Sequence, residues 1–343
     1  MAPEARRPRR GVRGPGIEAK VAFLRRPEAY AEKPRSVEVV ETHMSWVFLT
    51  ERHAYKLKKP VRYDSLDFST PELRRRDCEA EVRLNRRLAR DVYLGTIALT
   101  VDPGEGFALG GGGEPVDWLV HMRRLPADRM LDGLIRRGRI EETDVRPAAL
   151  RLAQFFARAR PVELSAAEYR KRLEEGTRGD RDELCQPEFR LPRDRVVQIA
   201  DTQLARLARH PELFDRRVDE GRIIEGHGDL RPEHICLISE PAIIDCLEFS
   251  RDLRLLDPAD ELAFLGLECE RLGRAAVGQW FLRIYAEVAG DAPPEPLLRF
   301  HRTYRALRRA KIAAWHLKDP SVRDHDEWCE RARCYLELAS VEA

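Results

Sequence analysis

The sequence predicts an α+β fold of two lobes, a small antiparallel β-rich N-terminal lobe and a larger, mainly helical C-terminal lobe. Three observations lead there. Short β-rich runs at residues 45–50, 54–60 and 116–122 all fall in the first part of the chain. Helical apolar periodicity takes over from residue 128 onward. A chain of 343 residues is also too long for one small core. The boundaries follow as a disordered basic tail at 1–18, a β-rich lobe at 19–125, and a helical lobe at 126–343.

The first sixteen residues are basic, rich in Pro and Gly and poor in large apolar side chains, which predicts disorder. Runs 45–50 and 54–60, separated by Glu51-Arg52-His53, read as a hairpin. Side chains two apart on a strand share a face, so Ala54, Lys56 and Lys58 point one way and Tyr55 and Leu57 the other. Residues 77–90 read as a helix with Val82, Leu84, Leu88 and Ala89 apolar, and with Glu79 and Glu81 as its carboxylates of interest. Gly110 to Gly113 has no following Lys-Ser/Thr and lies between two strand-like runs, which predicts a hairpin turn rather than a phosphate-binding loop. A strand over 116–122 then runs into a break at Pro126.

Helices are predicted over 128–135 and 146–159, and through 166–220 with a loop at 178–183. The stretch 271–343 reads as all-helical, with Trp280, Phe281, Tyr285, Phe300, Tyr304 and Trp315 as buried anchors. Arg305, Arg308 and Lys311 recur at three-residue spacing, which predicts an acid-paired or solvated face in preference to a site for an anionic acceptor.

Composition narrows the function classes. The 61 basic and 59 acidic residues leave a net charge of +2, so there is no global field for nucleic acid and no such partner is expected. No apolar run is long enough to span a membrane, and no signal peptide is visible. Seven scattered cysteines argue for a reducing cytoplasm, and the spacing of Cys329 and Cys334 suits helix packing rather than metal.

The chemistry concentrates in Glu225-Gly-His227-Gly-Asp229-Leu-Arg-Pro-Glu-His234-Ile-Cys-Leu237 and in the apolar run Ala242-Ile-Ile-Asp245-Cys-Leu-Glu248-Phe249. Moving a γ-phosphoryl group calls mainly for positioned charge, with a base near the acceptor hydroxyl and ligands that hold Mg²⁺ against the phosphates. Asp229 fits the base and His227 a brace for the loop backbone. His234 and Asp245 fit the metal ligands, with Glu248 as a further carboxylate. His-Gly-Asp alone is common in turns, and Asp245 alone could end a strand. The same His227, Asp229 and His234 also read as a metal-hydrolase cluster.

His227-Gly-Asp229-Leu-Arg-Pro-Glu-His234-Ile, Ile243-Ile-Asp245 and Asp257-Pro-Ala-Asp260-Glu-Leu-Ala263 together resemble the aminoglycoside phosphotransferase branch of the kinase-like superfamily. Its loop reads His-Gly-Asp-x-x-x-x-Asn, so His234 departs from it by standing where asparagine belongs. The resemblance implies a protein-kinase-like bilobal fold and an ATP lysine on an N-lobe strand. The kinase pattern selects Lys56, whereas a basic residue two before proline selects Lys58, which we prefer. Glu81 is its implied helix partner over Glu79. With no glycine-rich loop in the expected place, Thr42 to Ser45 would serve the phosphates through hydroxyls and backbone N–H groups. Backbone groups near Met122 and Arg124 would bond the adenine.

The implied cofactors are ATP and Mg²⁺, and the imidazole of His234 suits Mn²⁺ better. The implied activity is transfer of the γ-phosphate of ATP to a hydroxyl of a small-molecule acceptor in the cytoplasm. A nucleotide-binding regulator with weak catalysis is the alternative, and a metal-dependent hydrolase a third. Thr42-His-Met-Ser-Trp-Val-Phe-Leu49, Tyr55-Lys-Leu-Lys-Lys-Pro-Val61 and Leu66-Asp-Phe-Ser-Thr70 are further similar to a phosphotransferase-like group often fused to a P-loop ATPase domain. No Gly-x-x-x-x-Gly-Lys-Ser/Thr occurs in the sequence, so a separate P-loop ATPase is the implied protein partner.

Overall fold

A computed structural model describes residues 15–63, 66–102, 104, 106–318 and 324–341. Most of the tail expected to be disordered therefore lies outside the described residues. Its last two positions begin helix α1 (Ile17–Leu24). The chain divides into two units, the first holding Arg90–Leu125 and the described residues up to Arg86, the second holding Arg87–Ala89 and the residues from Pro126 on.

In the first unit, β1 (Glu38–Glu41), β2 (Ser45–Leu49) and β3 (His53–Lys58) are followed by a small ladder of β4 (Arg62–Tyr63) with β5 (Leu66–Asp67), then by helix α2 (Pro71–Asn85) and strands β6 (Tyr93–Asp102), β7 (Gly106–Leu109) and β8 (Glu114–Arg123). Six of these strands make one antiparallel sheet in the order β1-β2-β3-β8-β6-β7. The predicted β2–β3 hairpin is present, with Ser45 opposite Lys58 and Val47 opposite Lys56. Alternation along β3 sends Tyr55 and Leu57 into an apolar cluster with Phe23, Leu24 and Tyr30, while Lys56 and Lys58 reach Glu81 on α2. Asp117 of β8 ties both helices to the sheet, accepting from Lys20 of α1 at 2.8 Å and from the fork of Arg74 of α2 at 2.7 Å twice.

Two expectations in this unit are corrected. The helix predicted over 77–90 runs over Pro71–Asn85 instead, because Thr70 caps it by accepting from Leu73 N–H at 3.2 Å and Pro71 follows as a helix starter. Gly110 to Gly113 is no hairpin turn, since β7 and β8 pair with opposite edges of β6 rather than with each other. The glycines carry the chain over β6, with Gly110 beside Ile97 and Gly111 beside Thr100. A Cβ at Gly113 would stand 2.5 Å from the carbonyl oxygen of Val101, so a side chain there would meet backbone.

The second unit is built on helices α3 (Leu131–Arg136), α4 (Glu142–Arg158), α5 (Ala166–Leu184), α6 (Arg193–Arg209), α7 (Glu212–Asp219), α8 (Pro258–Arg271), α9 (Ala275–Ala289), α10 (Glu295–Trp315) and α11 (His325–Val341). Two-residue strands β9 (Ile224–Glu225), β10 (Ile235–Cys236), β11 (Ala242–Ile243) and β12 (Leu255–Leu256) pair as β9 with β12 and β10 with β11. An apolar cluster of α4, α8 and α9 residues includes Ile224, Leu230, Ile235 and Ile243, so the short strands are seated by the core itself.

Further corrections arise here. Residues 178–183 are not a loop but the last turns of α5. Asp180 is buried and accepts from Arg308 at 3.3 Å and from Lys311, so tertiary ion pairing holds a polar stretch in the helix. That also makes Arg308 and Lys311 acid-paired, as Arg305 is by Asp260. The helix predicted from residue 128 starts at Leu131, after a single 3₁₀ turn. Trp315 is 47% exposed, its indole N–H spent on Glu183 at 2.7 Å, so it is not a core anchor, and Trp280 is only partly buried. The seven cysteines form no disulfide, and no described helix is long and apolar enough to cross a membrane.

Candidate active site

In the first unit the structure brings Lys56, Lys58 and Glu81 together. Glu81 is fully buried and takes one lysine on each oxygen, Lys56 at 3.0 Å and Lys58 at 2.6 Å. Lys58 also lies 2.6 Å from Asp77 and over the ring of Phe68 at 5.2 Å. Of the two lysines Lys58 is the more enclosed, its side chain 2% exposed against 16% for Lys56. Glu79 is exposed and, among the described residues, meets only Arg75, at 3.8 Å.

Thr42 and Ser45 close the turn between β1 and β2. The Thr42 hydroxyl donates to Ser45 C=O at 3.0 Å and accepts from Ser45 N–H at 3.0 Å, and Thr42 N–H donates to Ser45 C=O at 2.8 Å. Both hydroxyls, 3.1 Å apart, are thus engaged in shaping the turn. Met122 stands in the sheet opposite Ala54 and Tyr93. The N–H of Arg124 donates to Arg52 C=O at 2.8 Å, and its side chain binds Thr50 C=O and Glu38, each at 2.8 Å. The backbone donor expected to face adenine at Arg124 is therefore taken by the sheet.

In the second unit the loop between β9 and β10 is fixed from below by groups far away in sequence. His227 is fully buried, its Nε2 2.8 Å from Ile244 C=O and its Nδ1 3.3 Å from Asp229 N–H. A carbonyl can only accept and an amide N–H only donate, so Nε2 carries the proton and Nδ1 the lone pair. Both nitrogens of His227 are engaged with backbone, which suits a brace for the loop. Burial pushes the His227 imidazole down to about 4, with His234 adding to it.

Glu261 of α8 accepts from the N–H groups of His227, at 2.9 Å, and of Gly228. Burial raises its carboxyl to about 7 although those donors pull the other way. Arg305, clamped on Asp260 by two bonds of 2.7 Å, donates to Gly228 C=O at 3.2 Å. Gly228 has φ of +90°, and a Cβ there would lie 3.0 Å from Leu247, so glycine suits this position on both counts.

His227 carries a pH test. Its proton is bound less readily in the folded chain than at the ordinary value of 6.5, so its effect on stability is nil above about pH 6.5. Stability is lost as pH falls from there through 4, by about 3 kcal/mol in all. Glu261 titrates in the opposite sense but is present in both proteins when wild type is compared with His227→Gln. The stability gap between the two narrows by about 3 kcal/mol from pH 7 to pH 4 in urea titrations, and a gap constant with pH refutes the assignment.

Asp229 is partly exposed. Burial pushes its carboxyl up, but Arg231 first, then His234, Arg309 and His227, outweigh that and bring it to about 2. Arg231 donates to it at 3.0 Å, to Glu233 at 2.5 Å and to His234 Nε2 at 3.0 Å. His234 Nδ1 lies 2.8 Å from Asp229 C=O, so Nδ1 donates and Nε2 holds the lone pair, a tautomer that Arg231 independently requires. Nε2 lies 3.5 Å from Asp245 Oδ2, near the separation of about 3 Å for neighbouring ligands of an ion with bonds of about 2.1 Å. The Nε2 lone pair accepts from Arg231 at 3.0 Å, so that guanidinium would have to yield for Nε2 and Asp245 to hold a divalent cation. Asp245 has φ of +61°, a strained value for a non-glycine residue, and its side chain is 44% exposed. Glu248 is half-buried, with its carbonyl accepting from Arg254 at 3.2 Å.

Sequence reasoning missed three contributors. Arg231 stood inside the motif two residues after Asp229, and its position beside a carboxylate was the available signal. Glu261 and Arg305 act through tertiary contacts with backbone, which no local pattern shows.

No family model matches the sequence. Curated proteins from Mycobacterium bovis and Mycobacterium tuberculosis, each described as uncharacterized, are 38% identical over 283 residues, 80% of this chain and 54% of theirs. The chain thus spans about half the length of the curated relatives it matches. Among solved structures, the GDP complex of aminoglycoside 2'-phosphotransferase-IIIa is similar with a TM-score of 0.53 at 16% identity, over 90% of this chain and 93% of that one. A choline/ethanolamine kinase family protein from Mesorhizobium loti gives 0.54 at 15% over 94% and 99%. Choline kinase from Cryptosporidium parvum gives 0.52 at 12% over 95% of each chain. The α+β fold class read from the sequence is that of these neighbours.

Proposed function

We propose, given that the chain has the kinase-like fold of the aminoglycoside phosphotransferase superfamily, that it moves the γ-phosphoryl group of ATP to a hydroxyl of a small molecule. One observation carries this reading: a single braced loop presents the Asp229 carboxylate and sets His234 Nε2, which accepts from Arg231, 3.5 Å from Asp245. That pair would hold Mg²⁺ or Mn²⁺, with Glu248 as a further carboxylate, and a bound ion neutralises charge on the phosphates. Lys58 and Lys56, spaced by Glu81, hold the α- and β-phosphates. The Thr42 and Ser45 hydroxyls, engaged in their turn, leave that task to the lysines. The segment of Met122 and Arg124 borders the adenine.

Asp229 accepts a hydrogen bond from the acceptor hydroxyl. As the new O–P bond forms and the bond from γ-phosphorus to the β-phosphate oxygen breaks, the hydroxyl proton passes to Asp229 and then to the phosphorylated product. A carboxyl at about 2 holds a proton poorly, so Asp229 orients the hydroxyl throughout and takes its proton late. Arg231 supplies positive charge beside it.

The alternative, a nucleotide-binding regulator with feeble catalysis, draws on Arg231 engaging Asp229 and His234 at once. Calorimetric titration with ATP and GTP, followed by a metabolite screen for stimulated ATP consumption, separates the two. Binding without turnover for any acceptor favours the regulator, and no affinity for either nucleotide ends both. If His234 ligates the ion, His234→Asn lowers the ratio of activity in Mn²⁺ to that in Mg²⁺ by about tenfold. Titration of Mn²⁺ followed by electron paramagnetic resonance reads the same preference without turnover, and an unchanged ratio in both assays removes His234 from the ligand set.

A further inference from the structure

A cavity of about 670 Å³ lies wholly within the second unit, walled by Arg87, Phe155, Arg160, Glu163, Glu225 and Arg251 among others. Its volume is that of a pocket for a small organic molecule. Its lining includes none of Asp229, His234 and Asp245.

Its lining carries three arginines, Arg87, Arg160 and Arg251, against two carboxylates, Glu163 and Glu225, an excess of positive charge that favours an anion. Glu225 is already answered twice, by Arg254 at 2.9 Å and by Arg251 at 3.2 Å. The Arg251 side chain is 63% exposed, leaving much of its fork to solvent. Arg160 is exposed at the rim and has no hydrogen-bond or ionic partner among the described residues. Guanidinium forks match carboxylate and phosphate oxygens two at a time. Phe155, with Pro161 and Val162, adds an apolar wall, and the Arg87 guanidinium lies 5.0 Å over the Phe155 ring.

We propose that this cavity binds a small organic anion, its carboxylate or phosphate held by Arg160 and Arg251 and its apolar body laid along Phe155. The site adjoins the catalytic loop through the backbone. Arg87 donates to the carbonyls of Glu225 at 2.9 Å and Gly226 at 2.7 Å, the two residues that lead into His227. An occupant therefore rests against the segment whose position sets Asp229.

Calorimetric titrations of the full chain with phenyl phosphate, benzoate and inorganic phosphate test this. At least one aromatic anion saturates a single site more tightly than inorganic phosphate does, and the better of the two tells whether phosphate or carboxylate is preferred. Replacing Arg160 and Arg251 together by alanine weakens that binding about tenfold or more. Arg178→Ala, which removes an exposed arginine paired with Glu174, leaves it unchanged. A saturating non-hydrolysable ATP analogue does not displace the anion. Absence of saturation by both aromatic anions, full affinity in the double variant, or displacement by the nucleotide analogue each overturns the assignment. Both replaced arginines are exposed, and a matching thermal melt verifies that the double variant folds.

Discussion

On the proposed phosphoryl-transfer reading, Asp229→Asn lowers turnover by about 10³ while nucleotide affinity stays as in the wild type. The amide keeps the size of the side chain but cannot take a proton, and proton transfer by a positioned base contributes about 10²–10⁴. Its carboxyl at about 2, against an ordinary 3.8, also means that its ion contacts hold the folded state by about 2 kcal/mol at neutral pH. That part is present above pH 3.8 and lost as pH falls through 2, so the variant melts lower at pH 7 but remains folded. Because the wild-type carboxylate is ionised across any practical assay range, turnover shows no acid limb from Asp229 down to about pH 4. Wild-type turnover in the asparagine variant, measured with any acceptor that the metabolite screen identifies, removes Asp229 from the chemistry.

How much of this was legible beforehand depended on whether a feature is local. The hairpin of β2 and β3 was readable because alternation along Ala54, Tyr55, Lys56, Leu57 and Lys58 fixes which face each side chain takes, whatever lies above the sheet. The same alternation placed Lys56 and Lys58 on one face, so both could meet Glu81. Residues 178–183 looked like a loop because Gly179, Asp180 and Asp182 have weak helix preference, and only the distant Arg308 and Lys311 make burial of Asp180 favourable. Gly110 to Gly113 misled for a related reason, since a glycine run signals a tight backbone path without telling which strands it joins. Within the loop from His227 to His234, residue types and offsets were visible. The tautomers of both histidines were not, because they depend on the carbonyls of Ile244 and Asp229.

Arg217→Met destabilises the protein by about 4 kcal/mol. Arg217 of α7 is 3% exposed and forks onto two buried carboxylates, Asp257 at 2.7 and 2.8 Å and Asp291 at 2.7 Å twice. Tyr285 donates to Asp291 as well, at 2.5 Å. Methionine fills most of the space but leaves two carboxylates in a poorly solvated site, and orphaning such a charge costs about 3–5 kcal/mol. Urea unfolding at pH 7 reads the loss as a lower midpoint at unchanged slope. Adding Asp257→Asn and Asp291→Asn to the methionine variant removes both stranded charges and restores more than half of it. A methionine variant within about 1 kcal/mol of wild type contradicts the account. On the proposed reading the loss also reaches chemistry, because Asp257 caps the helix that carries Asp260 and Glu261. Those two grip Gly228 C=O, through Arg305, and the N–H groups of His227 and Gly228, so slack at the start of α8 loosens the loop that aims Asp229.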